Sequence, residues 1–244
     1  PKSASIRSWV SGIDDFTLNS RESRIINAHI SIPLNAEPGG HYGVLSFSGA
    51  APDIDGTGVG LSASAGVLIL IRVDGDISEK ASIASFYSGN LDKPQFFFES
   101  SPIPFIVRIK NTGNVHIQAV GTIKVSDMFG NSVGTVKVNP DRASALPDSI
   151  RRFGGSDTND KLQMSSKGLM FGYYNAQLML GYGLTGQALT SSVGFWVIPY
   201  KLVLIVLIVI GVVIYFIRRA MKTYNRRIIE RYKNENGNKK NGKK

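Results

Sequence analysis

The sequence predicts an all-β outer part, built as two β-sandwich modules and followed by a single transmembrane α-helix. Three observations carry this reading. Residues 202–217 read LVLIVLIVIGVVIYFI, an apolar run without a charge. The roughly two hundred residues before it break into short alternating or apolar segments separated by Gly, Asp, Asn and Pro clusters, the texture of sheets. The chain contains no cysteine, so an exported part of this size must be held by sheet packing and not by disulfides.

In chain order, residues 24–33 come first. Ile26, Ala28, Ile30 and Ile32 alternate with Asn27, His29 and Ser31, the period of a half-buried strand. A turn cluster at 35–40 separates this segment from a strand at 41–47, so the two read as a hairpin-type unit. After a Gly/Asp-rich loop at 49–60, residues 65–73 (AGVLILIRV) are nearly all apolar, as expected for a central strand covered on both faces. Asp74, Gly75 and Asp76 then make a tight turn.

Turn residues cluster again at 88–94, and the boundary between modules is placed there, giving modules at 1–90 and 91–196. The second series begins with strands at 95–99 and 104–110. The clearest alternation in the chain follows, with Val115, Ile117, Ala119, Gly121, Ile123 and Val125 on one face. Further strands are expected at 133–138, 149–153, 169–182 and 188–197. Short strands at regular intervals point to sandwiches, and two modules of similar size are consistent with a shared Ig-like plan.

With Trp196, Val197 and Ile198 leading in, the apolar run reaches the roughly 20 residues that span a bilayer. The membrane helix is placed at 197–219, anchored by Trp196, Tyr200 and Lys201 at one interface and by Arg218 and Arg219 at the other. From residue 218 the chain holds eleven Lys or Arg against Glu230 and Glu235, which accounts for nearly all of the net charge of +10. The positive-inside rule then makes 220–244 a cytoplasmic tail and puts everything before Trp196 outside, a single-pass cell-membrane topology. The high pI is thereby a statement about topology and gives no support to nucleic-acid binding. Met221, Tyr224, Ile228 and Tyr232 recur at helical spacing, so the tail reads as a continuation of the helix, either against the inner leaflet or as a solvated flank. An outer segment of this size implies a removed leader before Pro1.

Chemistry is sparse. The histidines His29, His41 and His116 stand singly, and no zinc-protease, nucleophile-elbow or phosphate-loop pattern occurs. The Gly58–Ala63 stretch matches part of a dinucleotide fingerprint but lies between strands, without the helix N-terminus that would hold a pyrophosphate. Asp53 and Asp55, followed by Gly56, resemble the start of a calcium loop, but the bidentate Glu of that loop is replaced by Ser64. A polar hairpin loop is the better reading. The Phe96, Phe97 and Phe98 triplet is assigned to packing between the modules. No cofactor or metal, and no enzymatic activity, is expected.

A resemblance adds to this. Trp9, then Phe16-Thr17-Leu18, Glu22, the alternating strand ending at Ile32-Pro33, and Ala36-Glu37-Pro38-Gly39-Gly40-His41-Tyr42-Gly43 leading into a strand resemble the peptidoglycan-binding, Ig-like first domain of bacterial WxL-interacting surface proteins. The apolar strand ending in Val73-Asp74-Gly75 is similar to the same family's pattern, so the likeness covers residues 9–86. The second module is short for the family's host-binding domain. The resemblance implies a bacterial surface protein that contacts peptidoglycan or a cell-wall surface protein, besides the lipid bilayer that holds it. Loop residues Asp53 and Asp55, with His41 and Tyr42 of the turn, are the candidate ligand-contacting positions. The alternative is a structural or accessory subunit of a surface assembly that pairs through its β-edges, which would use backbone groups and leave little trace in the sequence.

Overall fold

A computed structural model describes residues 5–19, 21–49, 63–91, 93–155, 161–166 and 168–241, with the backbone alone at 223 and 226–241. The chain is β-rich and ends in one apolar helix. Its strands form an N-terminal ribbon and a two-sheet body.

The ribbon is an antiparallel pair, β3 (Gly39–Ser48) and β4 (Ser64–Val73), joined residue for residue from Gly39 opposite Val73 to Ser48 opposite Ser64. Before it, β1 (Val10–Ser11) pairs with β2 (His29–Ile30). Only these two residues of the alternating segment at 24–33 enter a ladder, and Ile30 and Ile32 of its apolar side are exposed. Alternation there reports an extended chain whose apolar side has little to pack on. The expectation for 65–73 also fails. β4 is no central strand, having β3 as its one hydrogen-bonded neighbour among the described residues, and Val67 and Leu68, on opposite faces, are both exposed. An unbroken apolar run shows that both faces are apolar; it does not supply what covers them.

The chain passes from ribbon to body at 74–80. The body begins with β5 (Ala81–Asn90), which the sequence reading puts in the first module. In the structure β5 pairs along its length with β8 (Ile103–Asn111), so hydrogen bonds cross the expected boundary at residue 90. One sheet runs β11 (Ile150–Phe153), β8, β5, β6 (Lys93–Pro94), with β12 (Gln163–Met164) beside β8. The other runs β10 (Ser132–Val138), β9 (Val120–Asp127), β13 (Gly172–Tyr182), β14 (Gln187–Val197), β7 (Phe97–Phe98).

The two sheets share one core. Phe105, Val107 and Ile109 of β8 meet Ile123 and Val125 of β9, Ala176 and Leu178 of β13, and Phe195 of β14, all buried. Phe195 anchors an aromatic cluster, with ring centroids 5.9 Å from Phe105, 5.8 Å from Tyr174 and 5.7 Å from Phe98. The expected strand at 115–126 is half right. Val115, Ile117 and Ala119 are buried on the face that the alternation predicts, yet the ladder of β9 starts at Val120. The earlier residues make one isolated bridge, Ile117 to Ala145. Burial has period two whether or not a neighbour strand exists, so alternation reads the face and not the pairing.

The helix α1 (Tyr200–Asn241) has 42 residues, of which Tyr200–Lys222 are long and apolar enough to cross a membrane and are unburied by the rest of the chain. It starts three residues later than expected, because Trp196 and Val197 finish β14 through hydrogen-bonded pairing with β13 and β7. Pro199 then accepts from the Val203 amide at 3.0 Å and opens the helix.

Candidate binding site on the N-terminal ribbon

The turn at 38–43 carries the most local information in the chain, and each of its glycines has a steric reason. Gly39 sits at φ +134°, a conformation that residues with a side chain resist. A Cβ on Gly40 would strike the hydroxyl of Tyr42, and one on Gly43 would strike Ile6. The missing side chains let the Tyr42 ring fold back over β3 and let the N-terminal segment lie against the strand. That segment forms a parallel bridge from Ser5 to Tyr42, with the Ile6 amide donating to the Tyr42 carbonyl at 3.3 Å.

His41 is buried. Its ring lies 4.5 Å from that of Trp9, and Nε2 donates to the Glu37 carbonyl at 2.8 Å. Tyr42 is half-buried and reaches Nδ1 of His116 in the body at 3.5 Å, edge to face with that ring. Burial raises the Tyr42 phenol above its ordinary value against the opposing pull of His116. His116 is lowered, first by burial and then by the nearby Arg72 guanidinium. Of the two turn residues expected as ligand contacts, His41 packs under Trp9 and Tyr42 braces the ribbon against the body. Asp53 and Asp55 lie outside the described residues, as does the glycine stretch at 58–60.

Sequence reasoning missed the joint that holds the ribbon. Asn114 accepts from the Gly40 amide on its carbonyl at 2.8 Å and from the Ser78 amide on Oδ1 at 2.8 Å. Its Nδ2 donates to the Asp76 carbonyl at 2.8 Å. Beside it, Arg72 of β4 donates to Glu79 at 2.7 Å, and Glu79 also accepts the Leu184 amide at 2.9 Å. Burial pushes the Glu79 carboxyl up, but the Leu184 amide and Arg72 outweigh it and hold the group below its ordinary value. The signal in the sequence is Asn111-Thr112-Gly113-Asn114, whose composition marks a turn but not what the turn holds.

Beyond the joint, the ribbon is open. The outward backbone groups of Gly40 and Tyr42 are taken by Asn114 and Ile6. By strand alternation Val44 and Ser46 point their amides and carbonyls the same way, and Gly66 and Leu68 point theirs off the β4 edge. Among the described residues no third strand joins either edge. The stretches 44–48 and 64–71 carry no charge, so the edge lacks the usual guard against pairing. Against it lies a groove of about 440 Å³ bordered by Ile6, Arg7, Val10, Ile13, Val44 and Ile69. Its lining is mostly aliphatic, which suits an apolar side chain more than a hydroxyl-rich glycan.

Among the described residues no group of three His, Asp or Glu side chains is placed to hold a metal ion. The residues expected to anchor a span fall in two places: Trp196 on β14, and Tyr200, Lys201, Arg218 and Arg219 on α1. Lys201 reaches back to Glu99 of the body at 3.0 Å. Comparison of the chain with protein-family models, with curated proteins and with solved structures gave no match.

Proposed function

We propose that this chain is a non-enzymatic, membrane-anchored binding protein of the bacterial cell surface. The span at 200–222 crosses the bilayer, the β part faces outward, and the basic end of α1 faces the cytoplasm. The two-sheet body is an Ig-like sandwich that serves as a support. The ribbon β3–β4 takes an extended segment of another envelope protein onto its free edge, with apolar side chains of that segment in the adjoining groove.

The single observation behind this reading is the open ribbon itself. A two-stranded pair is at best marginal alone in water, yet this one is pinned to the body at one end and, apart from Phe16 against Phe47, largely exposed beyond it, with Val44 67 % and Leu68 53 % exposed at mid-length. Contact with the wall is the second reading; it draws on the resemblance of the turn at 36–43 to wall-binding domains.

A photoreactive amino acid placed at Val44 or Leu68 in the full-length protein, expressed in a bacterial host with an intact wall, separates these readings. A discrete protein adduct at both positions, absent with the label at Thr190 on the outer face of β14, is the expected result. Adducts that collapse only on muramidase digestion would assign the ribbon to peptidoglycan. Labelling no different from that at Thr190 would overturn the ribbon as a binding edge.

A further inference from the structure

We propose that the end of the body next to α1 is itself a lipid-contacting surface, seated in the headgroup layer of the outer leaflet by a rim of exposed aromatic side chains. This rests on the reading of α1 as a membrane span.

The register of the second sheet collects the rim. Trp196 of β14 lies opposite Tyr173 of β13 on one side and Phe97 of β7 on the other. Side chains at paired positions share a face, so these three form a row on the outer face of the sheet, and the Tyr173 and Trp196 rings meet edge to face at 5.5 Å. The alternate positions Tyr174, Phe195 and Phe98 point inward and fill the core. Phe97 is left 69 % exposed. The triplet 96–98 therefore divides, with Phe98 committed to the core of the body and its two predecessors presented outward; packing between modules does not use them.

The next strand extends the row. Asp127 of β9 lies opposite Tyr174, so the β9–β10 turn falls at this same end, and Met128 packs over Gly172, where a Cβ would strike it. Phe129 at the tip of that turn is 82 % exposed. The acidic side chain of the turn is tied back to the turn's own backbone. The Asp127 carboxylate accepts from the amides of Phe129 and Asn131 at 2.9 and 2.8 Å. Phe171, which leads into β13, is also exposed at this level.

What covers this surface follows from continuity with the helix. Val197 ends β14 and Tyr200 begins α1, so Ile198 and Pro199 alone connect them, a reach of at most about 11 Å. A span of 23 residues is about 35 Å long, enough to cross the ~30 Å hydrocarbon layer with its ends in the interfaces. Trp196 and its row are thus held at headgroup depth, where amphipathic rings are favoured. Glu99, which anionic lipid would repel, is paired with Lys201.

The chain has no cysteine and two tryptophans, so single labels and single-Trp emission are clean probes. In full-length protein reconstituted into phosphatidylcholine–phosphatidylglycerol vesicles, a nitroxide at Phe129→Cys is expected to meet oxygen more than a water-soluble nickel complex. With Trp9→Phe, Trp196 emission is expected to shift to the blue and to be quenched by lipid brominated near the headgroup. A label at Leu184→Cys, at the far end of the β13–β14 hairpin, should report water, and one at Gly211→Cys should report hydrocarbon. If Phe129→Cys reads as aqueous as Leu184→Cys while Gly211→Cys reads lipid, the inference is overturned and the span stands. If Gly211→Cys also reads water, the span reading itself has failed and takes the inference with it. Shielding of Phe129→Cys from both oxygen and nickel would mark a protein contact and equally overturn it.

Discussion

β8 in the body and β4 in the ribbon are similarly apolar strands in opposite circumstances. β8 lies between β5 and β11, and its Phe105, Ile106 and Val107 are wholly buried. Among the described residues β4 has one partner, and its first half is exposed on both faces. Composition therefore does not decide burial here; the number of neighbours does. A strand that keeps apolar residues without neighbours of its own is suited to borrowing them. The body needs nothing further for its core, whereas the ribbon is fastened at its root by Asn114 and the Arg72–Glu79 pair, touched by the N-terminal segment at Tyr42 and Phe47, and open on its remaining edges.

The comparison breaks first at the core. Phe195→Ala removes the ring that joins Phe98, Phe105 and Tyr174, and should cost about 3–5 kcal/mol of body stability in chemical denaturation. Leu68→Ser on the exposed ribbon should stay within about 0.5 kcal/mol. Similar losses for the two would mean that the ribbon is packed after all.

A smaller effect is expected at the joint. Asn114→Ala leaves the exposed Ser78 amide and Asp76 carbonyl to water in place of their side-chain partner, a cost of about 0.5–1.5 kcal/mol. Hydrogen exchange should localise it to the ribbon root and 74–80, with the core of β8 and β13 unchanged. A global loss would show that ribbon and body unfold as one unit.

The smallest effect is one of pH. His116 is held below its ordinary 6.5 and Glu79 below its ordinary 4.5, so between folded and unfolded values the unfolded chain binds more protons. The stability each contributes is complete above its ordinary value and is lost as pH falls through the lowered one. Protection of the Gly40 and Ser78 amides should decline below pH 6.5, and His116→Gln should postpone that decline to the carboxylate range. A decline on raising the pH instead would contradict the assignment.

The parts of this fold that were legible in the sequence were those set by local chemistry. The uncharged run at 202–217 does form a helix, and the strands expected at 169–182 and 188–197 do pair as a hairpin. Inward faces were readable too, as at Val115, Ile117 and Ala119. Pairing was not, because it depends on residues far along the chain: nothing in 81–90 reveals β8 as its partner. The ribbon was misread for the same reason, since an apolar strand with two neighbours and one awaiting a partner look alike. At the candidate site, the sequence marks the turn at 36–43 by its Pro and Gly residues, but it does not reveal that His41 fills space under Trp9. The rim escaped notice because Phe97, Phe129 and Trp196 are brought together only by sheet register.

The central claim is that the ribbon is an unfinished sheet completed by a partner at the cell surface. Amide hydrogen exchange of the full-length protein, purified in detergent and again in native membranes, tests it most directly. The account predicts that the outward amides of Val44, Ser46 and Leu68 exchange freely in detergent and become protected in native membranes, while Ile106 and Ile123 are protected in both. Ribbon amides already protected in the purified protein, or free in both settings, would contradict it.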